Sequence, residues 1–180
     1  MQTTKCGNGC IIKAHEDGLV DHIAVRVGKG EQILNDCFYS ADYEINSKTL
    51  FDMASVTKIM VTTMLTLIAA DRKLLNFDDK VNRFFPCPND KSELTIKHLL
   101  THTMGYGHRS LCEKGNTYDN IQNYVLSLPC DFPVGTKVDY SCPGFILLGK
   151  ILEKVFGDRL DRLFTSLIAA PLGMESSGYC

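Results

Sequence analysis

The chain has 180 residues, a length typical of one domain, and a domain of this size buries about 70% of the surface of its unfolded chain. Hydrophobic residues make up 44% and charged residues 22% of the sequence, which is an ordinary globular composition. The net charge is −2 and the lysines and arginines are scattered. Nothing in the sequence therefore indicates a nucleic acid or an anionic membrane as a partner.

The N-terminal residues and the cysteines bear on the cellular compartment. Residues 1–10 contain no apolar segment of the kind that secretory signals have, which predicts a cytoplasmic protein. The eight cysteines are spread irregularly, and Cys6 and Cys10 have no second pair with which to form a zinc site. We expect free thiols in a reducing cytosol. The alternative is a secreted protein whose signal has been removed.

A β-hairpin is predicted near the N-terminus. Ile23, Val25 and Val27 alternate with other residues, and residues 28–30 (GKG) supply a turn. Residues 32–39 return as a second strand, so a hairpin is expected over residues 20–40.

The serine of residues 51–58 (FDMASVTK) begins a predicted helix that continues through residues 59–70. Ser55 and Lys58 lie one turn apart on one face of such a helix. Residues 59–70 are apolar on nearly every side, which predicts a buried helix, and the run is too short to span a bilayer.

A hydroxyl beside an amine suits an activated serine. Burial disfavours the charged amine and lowers the pKa of a lysine, so Lys58 could take the proton of Ser55. The helix N-terminus also directs backbone N–H groups at a developing oxyanion. The S-x-x-K pattern alone is weak, however, because a serine that caps a core helix has the same spacing.

Five further helices are predicted along the chain, the first of them a short one that Asp78 or Asp79 begins before Pro86. Thr95 can cap a helix that ends near Gly105, and residues 121–128 form an amphipathic helix before Pro129. Residues 160–168 form the last one. The longest helix, which Gly157 closes, has an apolar stripe made of Phe145, Leu148, Ile151, Leu152, Val155 and Phe156.

His98 and His102 are four residues apart, a spacing that also occurs in zinc sites. The H-E-x-x-H motif requires a glutamate where this chain has Leu99. We therefore interpret the two histidines as packing or surface residues and predict no metal site.

Four motifs occur in order: residues 49–58, residues 98–105 (HLLTHTMG), residues 140–142 (YSC) and residues 171–174 (PLGM). Together they resemble the serine β-lactamase and D-alanyl-D-alanine peptidase family, in its branch of class C β-lactamases and esterases. The resemblance implies an α+β, β-lactamase/transpeptidase-like fold that comprises most of the helical subdomain and an N-terminal hairpin of the sheet. It implies a serine hydrolase that forms an acyl-enzyme with an amide, lactam or ester, without a cofactor.

The resemblance also implies roles for three residues. Ser55 would be the nucleophile, and Lys58 would share its proton. Tyr140 would act with Lys58 as general base and then as general acid toward the leaving group. The chemistry is reasonable, because a tyrosine beside an ammonium group ionises more readily than its ordinary pKa near 10 allows.

The sequence departs from the family pattern at two places. The second motif is usually Tyr-x-Asn, and Cys142 stands where the asparagine would hold a substrate carbonyl, so substrates with an amide side chain, penicillins included, are in doubt. The third motif, Lys-Thr-Gly or His-x-Gly, belongs to a later sheet strand, and no such strand precedes Cys180. We therefore expect residues 1–180 to be a single partial domain, the N-terminal half of a family member. We expect it to be weak or inactive alone, and to self-associate or require complementation by a C-terminal segment.

Two other functions remain open at this point. The first is a non-catalytic ligand-sensing or scaffold module that keeps the fold without turnover. The second is cysteine catalysis by Cys142 and a histidine, although no motif orients such a pair. The expected partner is in any case a small-molecule or peptide substrate.

Overall fold

The computed structural model describes residues 9–40, 42–107, 109, 117 and 120–179. The chain divides into two compact units, Met1–Asp52 and Met53–Cys180. The predicted hairpin belongs to the first unit and the predicted helices to the second.

The first unit contains one helix and one hairpin. Helix α1 spans Gly9–Glu16, and strands β1 (His22–Lys29) and β2 (Gln32–Ser40) pair antiparallel. Gly30 has a φ of 59°, the left-handed conformation that a tight hairpin turn requires. The predicted hairpin is thus confirmed.

Cys37 on β2 is fully buried and disulfide-bonded, so the expectation of free thiols is wrong for this residue. A sequence with irregular cysteine spacing gives no sign of such a pairing, because pairing depends on which Cα atoms the fold brings close. Cys87, Cys130 and Cys142 are free thiols, as expected.

The second unit is helical. Its long helix α5 (Cys142–Phe156) carries the predicted apolar stripe, capped by Ser141 at its start and by Gly157, with a φ of 74°, at its end. The other elements are a π-helical turn at Lys58–Thr63 that continues into α2 (Met64–Asp71), 3₁₀ turns at Val81–Arg83 and Asn89–Lys91, α3 (Ile96–Leu100), α4 (Ile121–Ser127), and α6 (Leu160–Phe164) with a π-helical turn at Thr165–Ala169.

Helix α5 is the centre of the core of this unit. It packs against α2, α3, α4 and α6. Removal of its apolar side chains from water is the main stabilising contribution here, worth about 1.5–3 kcal/mol for each large side chain. The residues of α5 that are wholly inaccessible to solvent are Leu147, Leu148, Ile151 and Leu152.

The helix that starts near Ser55 is buried on one side only, and the prediction that it is buried on nearly every side is wrong for this chain. Leu65 and Ala69 contact the core and are fully buried. Ile59, Met64 and Leu67 are 67%, 41% and 45% exposed. Hydropathy shows that a helix is apolar all round, but it does not show how many neighbours the chain provides.

Helix α3 begins as predicted and ends earlier. The Thr95 hydroxyl and the His98 ring form a capping box at its start. The helix ends at Leu100 rather than near Gly105, because His102 adopts a φ of 56°, which a right-handed helix cannot contain.

Two findings concern membranes and metals. No helix in the part of the chain that the structure describes is long and apolar enough to cross a bilayer. Within the same residues, no group of three or more His, Cys, Asp or Glu side chains could hold a metal ion.

Candidate active site

Ser55 lies in the turn that leads into the π-helical segment. The backbone bonds from the N–H groups of Val56, Thr57 and Lys58 reach back three residues, so this first turn is tight. Ala54 immediately before the serine has a φ of 41°, an uncommon conformation for a residue with a Cβ atom. The turn leaves the Ser55 side chain exposed, where a substrate can reach it.

Lys58 is one turn further on, as the S-x-x-K spacing predicts. Its Nζ atom donates a hydrogen bond of 3.1 Å to Ser55 Oγ. The two side chains are therefore in the direct contact that an activated serine needs.

Tyr140 approaches the same two residues from the segment before α5, 85 positions later in the chain than Ser55. The Lys58 Nζ atom lies 5.1 Å from the centroid of its ring. Hydrogen bonds with Ser55 and with Lys58 lower the pKa of Tyr140 below its ordinary value of 10.0. The structure thus brings together the three residues that the sequence predicted as catalytic.

The direction of the Lys58 pKa differs from the prediction. Burial does act to lower it, but the hydrogen bonds and electrostatic interactions of the ammonium group with Tyr140 and Cys142 outweigh burial, so the pKa of Lys58 is raised above 10.5. Lys58 is only partly buried, and its neighbours favour the ammonium form. Tyr140 is therefore the better candidate for the base, with Lys58 as the cation that stabilises its phenolate.

Cys142 is the first residue of α5 and is half-buried beside Lys58. Together with Lys58 it contributes to the wall of an open cavity of about 570 Å³. The wall is mainly apolar, with Ile121, Phe145 and Leu160 among its residues, and also includes the Lys150–Glu153 ion pair. Ser55 and Tyr140 are not among the residues that line this cavity, which borders the site through Lys58.

Two aromatic side chains at the site were not predicted to be there. The ring of His102 lies 4.6 Å from that of Tyr140 and 5.0 Å from that of Phe145, centroid to centroid. The Lys58 ammonium group is 6.0 Å from the Phe145 ring. The sequence assigned Phe145 to the apolar stripe and His102 to packing or the surface, and no local pattern distinguishes such residues from ordinary core residues.

Gly107 fixes the approach of the segment that carries Tyr140. A Cβ atom at this position would lie 2.1 Å from Asp139 Oδ1, closer than any real contact. A larger residue here would require the Asp139 carboxylate, the end of a side chain that is 39% exposed, to turn aside.

One oxyanion donor is available. The backbone N–H of Ser55 has no backbone acceptor among the residues that the structure describes. An N–H at the entrance of a helical turn, on the nucleophile itself, is placed to bind the negative oxygen of a tetrahedral intermediate.

Comparison with known proteins identifies the family of this chain. A family model described as beta-lactamase matches residues 14–179. The esterase EstB of Burkholderia gladioli is 34% identical over 191 residues, which cover 91% of this chain and 48% of EstB. A beta-lactamase of Lysobacter lactamgenus is 25% identical over 136 residues, which cover 74% of this chain and 35% of that protein.

The fold is also similar to a solved structure. The class C beta-lactamase of Rhodobacter sphaeroides matches with a TM-score of 0.77 at 22% identity, over 91% of this chain and 47% of that one. The chain thus spans about half the length of EstB and of this structure. The family and the partial α+β fold that the four motifs predicted are confirmed, and the chain belongs to the beta-lactamase family.

Proposed function

We propose that the protein is a serine hydrolase that acts through an acyl-enzyme. The observation that supports this most directly is the three-way contact of Ser55, Lys58 and Tyr140. A nucleophile, a base with a lowered pKa and a cation that stabilises the base are what acyl transfer needs. Membership of the beta-lactamase family supports the same chemistry.

The first half of the reaction uses Tyr140 as its base. The phenolate accepts the proton of the Ser55 hydroxyl while Ser55 Oγ bonds to the substrate carbonyl carbon, and the electron pair of the C=O bond moves onto its oxygen. The Ser55 N–H donates to that oxygen. When the intermediate collapses, the bond to the leaving group breaks and Tyr140 returns the proton to the leaving atom.

The second half repeats these steps with water. Tyr140, again a phenolate, takes a proton from water as the water oxygen bonds to the acyl carbon. The proton then passes to Ser55 Oγ as the ester bond breaks, and the carboxylic acid leaves. Lys58 keeps its positive charge throughout and stabilises the phenolate in each resting state.

A small ester or a lactam is the proposed substrate. EstB is named an esterase and the Lysobacter lactamgenus relative a beta-lactamase, so both classes occur among proteins similar to this chain. An acyl group that extends from Ser55 past Lys58 would enter the mainly apolar cavity beside Cys142, which favours an ester with an apolar acyl group.

The test is to find the acyl-enzyme. We expect intact mass spectrometry of the protein quenched during turnover of p-nitrophenyl acetate to show one added acetyl group, mapped to Ser55 and lost when the ester is exhausted. An acetyl group that forms on Ser55 and stays would support the non-catalytic sensing module instead. Turnover without acetylation of Ser55 would contradict the proposal.

Cys142 is proposed to tune substrate choice and to take no part in the chemistry. Replacement of Cys142 by asparagine restores an amide donor and acceptor, so acylation by a fluorescent penicillin should improve while hydrolysis of p-nitrophenyl acetate stays within about tenfold. Both rates are measured on the same preparations, with Cys142→Ala as control. Complete loss of ester hydrolysis in Cys142→Ala would show that the thiol has a direct role.

The partial length of the chain bears on its partners. We propose that residues 1–180 belong to a single domain, which the unbroken match of the family over residues 14–179 supports. The exposed Ile59, Met64 and Leu67 support self-association or complementation by a C-terminal segment.

The cytosol was the predicted compartment, with a secreted protein as the alternative. The disulfide at Cys37 favours an oxidising compartment over the cytosol, because disulfides persist there.

A further inference from the structure

His102 contacts three consecutive residues around Tyr140. Its backbone carbonyl accepts a hydrogen bond of 2.8 Å from the N–H of Asp139, and its Nδ1 atom accepts one of 3.0 Å from the N–H of Ser141. Between these two bonds its ring lies against the ring of Tyr140. A single residue thus holds the backbone on both sides of Tyr140 and one face of its side chain.

The conformation of His102 makes these contacts possible. A φ of 56° turns the chain sharply after α3, so that the carbonyl and the ring of one residue can both reach the 139–141 segment. Histidine, asparagine and aspartate are the non-glycine residues enriched in this conformation.

The other end of the segment is fixed independently. Ser141 is fully buried, and its Oγ atom accepts a hydrogen bond of 3.2 Å from the N–H of Gly144 at the start of α5. Tyr140 is 46% exposed and lies just before this anchored residue, and its side chain interacts with Lys58, Ser55 and His102.

We propose that His102 is a positioning residue, which holds the Tyr140 hydroxyl against Ser55 and Lys58 through the hydrogen bond that its Nδ1 atom accepts from the N–H of Ser141. This inference rests on the proposed acyl-transfer function for its catalytic consequence, but the placement of Tyr140 can be measured without any substrate. Because a backbone N–H donates to Nδ1, the neutral ring carries its proton on Nε2.

Two variants with an amide side chain, His102→Asn and His102→Gln, distinguish loss of the Nδ1 hydrogen bond from a general structural effect of replacing His102. The oxygen of asparagine can occupy the place of Nδ1, and asparagine tolerates the left-handed conformation, so His102→Asn keeps the bond to Ser141. The amide of glutamine extends to the place of Nε2 instead, so His102→Gln leaves the Ser141 N–H without its acceptor. His98→Asn is the matched control, since His98 is half-buried in the same segment and its Nδ1 accepts from Thr95 N–H.

The direct readout is the ionisation of Tyr140, followed by NMR of tyrosine labelled with ¹³C at Cζ and assigned with Tyr140→Phe. We expect the pKa of Tyr140 to rise toward its ordinary value of about 10 in His102→Gln, and to stay low in His102→Asn and His98→Asn. We also expect kcat/KM for p-nitrophenyl acetate to fall by on the order of 10- to 100-fold in His102→Gln, mostly in kcat, and by less than about fivefold in His102→Asn.

The outcomes separate this inference from the proposed function. An unchanged Tyr140 titration in folded His102→Gln would overturn the inference even if ester hydrolysis is intact. A response of Tyr140 to His102→Gln in a protein that never acetylates Ser55 would support the positioning role and contradict the proposed hydrolase.

A pH measurement covers the case in which His102→Gln does not fold. Burial and the charge of Lys58 lower the pKa of His102 below 6.5, so the ring is neutral above that pKa and becomes a donor at Nδ1 as the pH falls through it. Among the residues that the structure describes, the titratable side chains that face the ring are Lys58 and Tyr140. At pH values below the pKa of His102 the wild-type log(kcat/KM) should fall with a slope about one unit steeper than in His102→Asn, since asparagine does not titrate. Equal slopes would overturn the inference.

Discussion

Replacement of Ser55 by alanine is expected to abolish covalent labelling of the full-length protein by a serine-directed fluorophosphonate probe. The probe reacts only with a hydroxyl oxygen that a neighbouring base has activated, and Ser55 is the serine in contact with Lys58 and Tyr140. Turnover of p-nitrophenyl acetate should fall by on the order of 10⁴-fold or more, because a residue that forms the covalent intermediate has no substitute. Gel fluorescence and initial rates provide the two measurements.

The control for this experiment is Ser127→Ala. Ser127 is an exposed serine at the end of α4, and its hydroxyl donates to the carbonyl of Tyr124. This variant should label as the wild type does. Labelling that persists in Ser55→Ala would remove Ser55 as the nucleophile, and with it the acyl-enzyme on which the proposed function depends.

Replacement of Lys58 by alanine should slow acylation by on the order of 100-fold or more, as the loss of a proton-transfer partner usually does. The hydrogen bond and charge of Lys58 help to lower the pKa of Tyr140, so without Lys58 that pKa should rise toward its ordinary value. The base form of Tyr140 exists only above its pKa. When that pKa rises, the rising limb of the pH–rate profile should therefore move to higher pH. Stopped-flow acylation rates between pH 5 and 10 would check this.

Lys150→Ala is the matched control. Lys150 lines the same cavity as Lys58, but its ammonium group pairs with Glu153 at 3.0 Å. Its loss should leave the pH–rate profile in place. A profile that moves equally in both variants would mean that general charge in the cavity, rather than the contact between Lys58 and Tyr140, controls the base.

The local parts of the fold could be predicted from the sequence. Alternation around Val25 gives the hairpin, the spacing of Ile151 and its neighbours gives α5, and Thr95 and Gly157 mark helix ends that the structure confirms. These features depend on residues a few positions apart. The contact between Ser55 and Lys58 belongs to the same class, because helical spacing brings these two side chains together.

The features of the fold and the site that local patterns did not predict depend on residues that are distant in the chain. Tyr140 was assigned to the site through a family resemblance, since no pattern within the chain relates it to Ser55. The exposure of Ile59 and the disulfide at Cys37 were missed because both depend on which neighbours the chain supplies. The direction of the Lys58 pKa was missed because burial was considered without the hydroxyl and thiol groups around the ammonium.

The close approach of Asp139 to Gly107 affects how this protein can change by mutation. Gly107 touches no reactant, yet any side chain there would have to displace Asp139, which precedes Tyr140. A library that diversifies only the cavity wall would leave this constraint intact and sample new specificities at constant chemistry. Random mutagenesis, in contrast, would also sample position 107, where a new side chain turns the Asp139 carboxylate away from its ion pair with Lys137. A change in rate can therefore arise there while Ser55, Lys58 and Tyr140 stay unchanged.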